Sequence, residues 1–346
     1  MRARLVADLR PATLLYGPPS PDSLAVPLPQ TGASPGAIPP VAISPAATSA
    51  GAADDPLRGI ALVVVAMASF SVSDAAAKYL SASLPAIEIA WLRWVGFFAI
   101  MLPFIVRSRG AALRSRAPLL QVARTFGLLG SACFFILSLH YLPLATAAAI
   151  AFAAPLLVTA LSIPLLGESV GPRRWAAVVA GLIGVLVVIR PGTGTFGVAA
   201  VYPLLSAVSW AFGMIATRKI SQLDDARTTM SYSALVGLAA LSLLVPFEWV
   251  APEPPQLALA MLMAIASTAA QFLVVTAYRL ARASVLAPIS YSQLIWSGLL
   301  GLFVFGNVPD VWTLVGTAII IGSGVYTAHR ERVTARARAA ARPAEA

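Results

Sequence analysis

Ten long apolar stretches, separated by short polar loops, follow one another from about residue 59 onward. A helix rises about 1.5 Å per residue, so about 20 apolar residues cross the hydrocarbon core of a bilayer. The stretches lie near Gly59–Tyr79, Pro85–Val106, Leu119–Leu139, Thr146–Leu166, Trp175–Ile189, Gly197–Ala216, Thr228–Trp249, Leu257–Leu280, Ser284–Phe305 and Val311–Ala328. The pattern predicts an all-α polytopic membrane protein with ten transmembrane helices in the lipid bilayer.

Composition supports a membrane protein over a soluble one. The chain is 59% hydrophobic and 11% charged, whereas soluble domains carry about 25% charged residues. The net charge of +10 does not indicate nucleic acid binding, because the Lys and Arg residues lie in short loops and form no basic face. One cysteine, Cys133, and two distant histidines, His140 and His329, argue against a disulfide framework or a metal cluster. We therefore predict no cofactor and no metal.

Basic residues mark one side of the membrane. Nearly all of the 24 Lys and Arg residues lie in the two tails or in the loops after the second, fourth, sixth and eighth stretches. Cytoplasmic loops are enriched in Lys and Arg, so we expect both termini in the cytoplasm and the protein in the bacterial inner membrane. Residues 1–56, rich in Pro and Ala, are predicted to be a disordered cytoplasmic tail, with an over-long reading frame as the alternative. Residues 330–346 form a basic cytoplasmic tail.

The two halves of the chain resemble each other at a spacing of 138 residues. Gly59 aligns with Gly197, and Ser71 aligns with Ser209. Five spans in each half would place the second copy upside down relative to the first, and the basic loops follow that reversal. Inverted repeats are typical of secondary transporters, with the site near the bilayer midplane between the halves. The predicted repeats are residues 57–190 and 196–329.

Four ionisable residues lie in the first two spans: Asp74, Lys78, Glu88 and Arg93. A charge exposed to lipid costs at least about 2.5–3.5 kcal/mol, so these side chains should face the bundle interior or a hydrated cavity. A structural interpretation pairs Asp74 with Lys78 and Glu88 with a nearby cation. A functional interpretation makes the four one wall of a substrate cavity, in which Asp74 or Glu88 could carry a coupling proton. The two interpretations are compatible.

The second half offers aromatic and neutral polar side chains instead of charges. Candidates for the opposite wall of the cavity are Trp210, Gln271, Tyr291, Gln293 and Trp296. Charges of both signs facing aromatic rings suit an amphiphilic zwitterion that carries a planar ring.

Two other features are predicted to be structural. Arg124, about two turns into the third span, is expected to extend its side chain to the cytoplasmic surface. The small residues of Ala145–Ala154 should let the fourth span pack closely at the interface between the halves.

Several short motifs resemble the EamA domains of the drug/metabolite transporter superfamily. They are LHYLPLATAAAIAFAAPLL at 139–157, LLGE at 165–168 and RPG at 190–192. The resemblance covers about residues 58–329 and implies two EamA-type halves. In the second half, Phe305-Gly306-Asn307 stands where the pattern has Gly-Glu, which leaves Glu168 without a symmetric partner.

A second resemblance concerns the charged residues. The string DAAAKYL at 74–80, followed by Glu88 and Arg93, resembles a subgroup of the superfamily that includes S-adenosylmethionine uptake carriers. It implies a small zwitterionic metabolite, such as S-adenosylmethionine or an amino acid derivative, moved by alternating access. Export of drugs or metabolites of another class is the alternative, and direction, coupling ion and homodimer formation stay open. An integral-membrane enzyme is a remote alternative, because the sequence offers no convergent nucleophile and base.

Overall fold

The computed structural model describes residues 55–108, 110–166, 171–191, 197–221, 223–281 and 283–340. Within them the α-helices are α1 (Pro56–Leu80), α2 (Ala86–Arg107), α3 (Pro118–Tyr141), α4 (Leu144–Ala151), α5 (Ala154–Leu166), α6 (Pro172–Ile189), α7 (Val201–Ile220), α8 (Ala226–Leu244), α9 (Pro254–Leu280), α10 (Ala283–Leu286), α11 (Ser292–Phe305) and α12 (Val311–Ala340). They form ten spans long and apolar enough to cross a membrane, which confirms the predicted number. Glu168 and nearly all of the predicted tail of residues 1–56 lie outside the described residues.

The chain enters and leaves these helices at residues suited to helix ends. Proline opens α1, α3, α6 and α9, where the first turn has no backbone hydrogen bond for it to break. At the end of α11, Gly306 adopts a φ of 65°, and the Asn307 N–H donates to the Gly301 carbonyl at 2.9 Å. Such a left-handed residue closes a helix at little cost when it is glycine. The Phe305-Gly306-Asn307 string therefore acts as a helix stop.

The packing of the helices follows a twofold exchange of the halves. We call the end of the bundle at which α1 begins the inner end and the opposite end the outer end. Exchanging the halves replaces α1 with α7, α2 with α8, α3 with α9, and α6 with α12. Accordingly α1 packs on α9 as α7 packs on α3, while α2 pairs with α8 and α6 pairs with α12. The cores of the two halves are therefore shared, and neither half encloses its own.

The fourth span of each half is interrupted. In the first half, α4 ends at Ala151 and α5 begins at Ala154, just before Pro155. In the second half, a 3-10 turn at Ala287–Tyr291 contains Pro288 and precedes α11. Proline removes a backbone donor and disfavours α-helix in the residue before it. The small-residue helix α4 packs on α7 and α11, both from the other half, as its composition predicted.

Two pairs of glycines bring backbones from the two halves into contact. A Cβ added at Gly127 of α3 would lie 2.8 Å from the backbone nitrogen of Gly213 in α7. A Cβ at Gly184 of α6 would lie 2.9 Å from the carbonyl oxygen of Gly316 in α12. Small residues are the usual means of close helix packing in membranes, where dispersion forces replace the hydrophobic effect. These two contacts bring the halves close together at one point in each of two helix pairs.

We expect Gly127→Ala to lower the thermal unfolding temperature of the purified protein in detergent. The added methyl group meets the backbone of Gly213, which cannot move aside as a flexible side chain would, and overpacking of this kind costs about 1–3 kcal/mol. Gly322→Ala in α12 is the matched control, since no atom lies within 4 Å of its Cβ position. Equal unfolding temperatures for the two variants would contradict the close contact.

An ion pair joins the last span of each half at the outer end. Arg190, just after α6, donates through Nη2 to Oδ2 of Asp310, just before α12. The other carboxylate oxygen of Asp310 accepts from the Thr313 N–H at 2.8 Å and so caps α12. Partial burial acts to raise the pKa of Asp310, but the bonds from Thr313 and the charge of Arg190 outweigh it and hold the pKa below its usual 3.8.

The stability difference between wild type and Asp310→Asn should therefore depend on pH. A lowered pKa in the folded state stabilises the protein above the pKa of the unfolded state, and this contribution is lost as pH falls through the folded-state value. We expect Asp310→Asn to unfold at a lower temperature than wild type at pH 7, with the difference shrinking below about pH 4. Unfolding temperatures measured from pH 7 to pH 3 test this, with Asp225→Asn, an exposed loop carboxylate, as control.

Candidate functional site

Asp74, Arg93 and Gln293 meet between three helices, and we call them the mixed-charge cluster. Nη2 of Arg93 in α2 lies 3.5 Å from Oδ1 of Asp74 in α1. The Gln293 amide of α11 donates to Oδ2 of the same carboxylate at 3.2 Å. Asp74 is 8% exposed, so its charge depends on these partners rather than on bulk water. The cluster joins both halves of the chain.

Serine hydroxyls continue the cluster toward the inner end. Ser71, one turn before Asp74, donates to the backbone carbonyl of Gln293 at 3.2 Å, and its Oγ lies 3.1 Å from Oγ of Ser297. Ser73 donates to the Met263 carbonyl of α9 at 3.0 Å. A polar strip therefore runs along α1 where it faces α9 and α11.

Lys78 does not pair with Asp74, so that part of the structural interpretation is wrong. Its ammonium donates to the carbonyl of Leu139 and, at 3.0 Å, to the carbonyl of Leu142. The last carbonyls of α3 have no partner within their own helix, and the negative end of the helix dipole favours a cation there. Lys78 thus fastens the outer end of α1 to that of α3, and Arg93 is left as the cation for Asp74.

Glu88 lies apart from the other charges. It is fully buried, and its Oε2 accepts from the Val250 N–H at 3.1 Å in the loop after α8. The pairing with a nearby cation is wrong, since no Lys or Arg of the described residues lies within ion-pair distance of Glu88. Its Oε1 has no hydrogen-bond partner in the part of the chain that the structure covers.

The structure brings some of the residues proposed for the opposite wall to the mixed-charge cluster and leaves others away from it. Gln293 joins the cluster, and Trp296 follows it by one turn with a buried indole N–H that bonds to none of the described residues. Tyr291 is buried, with its ring 5.5 Å from that of Phe152 in the fourth span. Gln271, half-buried on α9, makes no polar contact within the described chain.

Trp210 does not face the cluster. The packed side of α7 consists of small residues, among them Ser206, whose Oγ lies 3.1 Å from Oγ of Ser131 in α3. Trp210 lies on another side of α7 and is 41% exposed. An opposite wall that includes Trp210 is therefore not formed in this structure.

A cavity of about 620 Å³ opens at the outer end, between the ends of α1, α3 and α11 and the start of α9. Lys78 is the one residue of our predicted set in its wall. The other polar wall residues include His140, Glu253 and Gln256, which the sequence analysis missed. The sequence signal that could have identified these residues is their position at predicted helix ends, next to loops.

Arg124 also differs from the prediction. It is 8% exposed and does not extend to the surface. Its Nε donates to the Thr217 hydroxyl of α7 at 2.8 Å, and its Nη1 donates to the Ser233 hydroxyl of α8. Because α3 packs against both helices, the side chain is enclosed by them.

The mixed-charge cluster presents donors and acceptors of both charges. A guanidinium offers donors to a carboxylate, an aspartate accepts from an ammonium group, and an amide serves either. Among the described residues, no group of three His, Cys, Asp or Glu is placed to hold a metal ion.

Comparison with known proteins identifies the family. Residues 57–190 and 196–327 each match the EamA-like transporter family, so the chain belongs to that family. This confirms the two repeated halves, the transporter class and the exclusion of an enzyme. A protein of solved structure, titled only as a crystal structure, shares the fold with a TM-score of 0.58 and 21% identity, over 79% of this chain and 98% of its own.

Named relatives are transporters of several kinds. The S-adenosylmethionine uptake transporter of Rickettsia prowazekii is 29% identical over 80% of this chain and 94% of its own. The riboflavin transporter of Vibrio cholerae is 28% identical over 81% and 96%. The pseudopaline exporter CntI of Pseudomonas aeruginosa is 28% identical over 76% and 93%.

A double-mutant comparison tests the Asp74–Arg93 pair. Arg93→Ala leaves a buried carboxylate without its cation, which costs about 3–5 kcal/mol, and should lower the unfolding temperature strongly. Asp74→Ala combined with Arg93→Ala removes both charges and should be less destabilised than the sum of the two single variants. Arg114→Ala, in an exposed loop, is the control and should change little. Additive losses in the double variant would contradict the pair.

Proposed function

We propose that this transporter carries a small zwitterionic amphiphile, such as S-adenosylmethionine or an amino acid derivative, by alternating access. The observation that supports it is the mixed-charge cluster, in which Asp74, Arg93 and Gln293 come from both halves of the chain. Inverted-repeat transporters bind substrate between their halves, and an intramembrane charge is functional by default. A site shared by the halves is able to sense their relative movement.

The chemistry of the cluster fits this ligand class. S-adenosylmethionine carries a carboxylate, an amino group, a sulfonium and an adenine ring. We assign the carboxylate to Arg93, the cationic groups to Asp74, and a hydrogen bond to Gln293. The 3.5 Å between Arg93 Nη2 and Asp74 Oδ1 is long for a charged hydrogen bond. Replacing this contact with contacts to a ligand therefore costs little binding energy. Trp296 and Tyr291 are the nearby aromatic residues for the ring.

The named relatives include a carrier of this class. The relative that is 29% identical over 94% of its own length is named as an S-adenosylmethionine uptake transporter. Riboflavin also carries a planar ring, so the riboflavin transporter of Vibrio cholerae agrees with the ring requirement but not with the zwitterion. The Pseudomonas exporter keeps export of another metabolite as the alternative.

We further propose the membrane arrangement. Both termini lie in the cytoplasm of a bacterium, which makes the inner end cytoplasmic, and the repeats are residues 57–190 and 196–329 between a tail of residues 1–56 and a basic tail from 330 to 346. The distribution of Lys and Arg supports this orientation. Asp74, Arg93 and Gln293 come from a single chain, so the proposed site includes no residue of a second copy.

Glu88 is our choice for a coupling proton. It is fully buried, its Oε2 accepts one backbone hydrogen bond, and its Oε1 has room for a proton because no described group bonds to it. Asp74 is the second choice, because its two oxygens already accept from Arg93 and Gln293.

Binding and uptake measurements test the proposal. We expect S-adenosylmethionine to raise the unfolding temperature of the purified protein and to enter proteoliposomes that contain it. Asp74→Asn and Arg93→Gln should each reduce uptake at least about tenfold, because loss of one partner in a buried charged contact weakens binding by about 2 kcal/mol or more. Glu88→Gln should bind the ligand but lose the response of uptake to a pH gradient.

Arg114→Gln is the control for these variants, since it removes a charge from an exposed loop. Riboflavin and free amino acids are tested beside S-adenosylmethionine. Uptake by Asp74→Asn and Arg93→Gln at the wild-type rate would refute the site. Stabilisation by riboflavin and not by any zwitterion would refute the ligand class.

A further inference from the structure

The outer cavity has a counterpart that the twofold exchange of the halves defines. The cavity lies among the ends of α1, α3 and α11 and the start of α9, all at the outer end. Exchange of the halves moves these positions to the inner end, among the ends of α7, α9 and α5 and the start of α3. Because the repeats are inverted, a cavity at one end and its counterpart at the other represent the two faces of an alternating-access cycle.

Hydrogen bonds join the two halves at that inner position. Asp224, after α7, accepts from the Ser115 hydroxyl, from the Arg116 N–H at 2.9 Å, and from the Gln121 amide at 2.8 Å. Gln121 also donates to the Thr229 hydroxyl of α8 at 3.2 Å. The donors belong to the first half and the acceptors to the second.

The correspondence extends to individual residues. At the spacing of 138, the cavity residues Tyr79, Glu253 and Leu259 align with Thr217, Ser115 and Gln121. These three positions therefore line the cavity at the outer end, where Gln256 of the second half donates to the Ser83 hydroxyl of the first at 3.0 Å. Their counterparts at the inner end are all hydrogen-bonded across the halves.

Arg124 adds hydrogen bonds to this contact, and its partners are unusual for a buried charge. Its guanidinium is bonded to two hydroxyls, those of Thr217 and Ser233, and among the described residues no carboxylate lies within ion-pair distance of it. Neutral hydroxyls offset the desolvation of a charge less well than a carboxylate does. Arg124 therefore holds α3 to α7 and α8 through neutral acceptors.

Asp224 is charged in this state at neutral pH. Burial acts to raise its pKa, but the hydrogen bonds from Ser115, Arg116 and Gln121 and the charge of Arg116 outweigh it and lower the pKa below 3.8. Gln121 donates to Asp224, whereas Arg124 donates to Thr217 and Ser233, so the two opposite charges hold the contact at different points.

We propose that Gln121, Arg124, Thr217 and Asp224 form the inner gate of the transporter, closed in this structure while the outer cavity is open. The inference rests on the alternating access proposed above and adds the residues that close one side. Arg124 is a positioning residue in this gate, because it holds α3 to α7 and α8. Opening requires the first half to release the hydroxyls and the carboxylate of the second half.

Thiol labelling of single-cysteine proteins in nanodiscs tests the gate. Cys133→Ala removes the native cysteine, and two separate reporters are introduced: Thr228→Cys, buried on α8 beside Thr229, and Leu259→Cys, in the wall of the outer cavity. Adding Arg124→Gln should raise the labelling rate at position 228 about tenfold, the effect of losing a hydrogen bond to a charged group. The rate at position 259 should fall, because the outer end closes when the inner end opens.

Asp224→Asn is the second gate variant and should shift both rates in the same directions as Arg124→Gln. Arg114→Gln and Asp225→Asn are matched controls, since both remove an exposed charge beside the network and should change neither rate. Faster labelling at 228 without slower labelling at 259, in either gate variant, would overturn the proposal, as would no change at 228. Local loosening of the inner end would produce the first of these results.

These measurements separate the gate from the transported ligand. Labelling needs no substrate, so a protein that binds no zwitterion can still show opposite changes at the two reporters and would support the gate alone. A protein that takes up S-adenosylmethionine while neither rate changes would support the function and refute the gate.

Discussion

A charge inside a bundle of apolar helices is stable only where another helix supplies its partner, and the arrangement of this protein follows from that constraint. The buried carboxylate of Asp74 is bonded to Arg93 and Gln293, which come from α2 and α11. One partner belongs to each half, so this contact helps to interlock the halves. The exchange-related contacts of α1 with α9 and α7 with α3 provide this interlocking. The buried polar contacts and the interlocked halves therefore depend on each other.

At both ends of the bundle, charged side chains are held by neutral hydrogen-bonding groups. At the outer end, the Lys78 ammonium group donates hydrogen bonds to the carbonyls at the end of α3. Glu88 accepts a hydrogen bond from a backbone N–H in the loop after α8. At the inner end, Arg124 bonds to hydroxyls and Asp224 to an amide, a hydroxyl and a backbone N–H. Charges held by neutral groups need no specific opposite charge to be present. When such a contact separates, the charge needs water or other polar groups, because a buried charge without partners is strongly unfavourable.

The sequence was sufficient for features that depend on local composition. Spans are recognised from runs of apolar residues, and all ten were located because a helix in lipid must be apolar along its length. The inverted halves followed from the odd number of spans and the basic loops. The groups to which each buried charge bonds could not be predicted from local composition. Asp74 and Lys78 share one helix face by their spacing, but the free carbonyls of α3 that capture Lys78 come from a helix far away in the chain. Arg124 was predicted to reach the surface because the sequence shows its depth in the span. The sequence does not show that α7 and α8 enclose it.

The contact of Gly184 with Gly316 has a mechanical consequence. Side chains between two helices can change rotamer and let the helices slide, whereas here the backbones of α6 and α12 touch directly. There is nothing between them to rearrange. We therefore expect α6 and α12 to keep their relative position when other helices move.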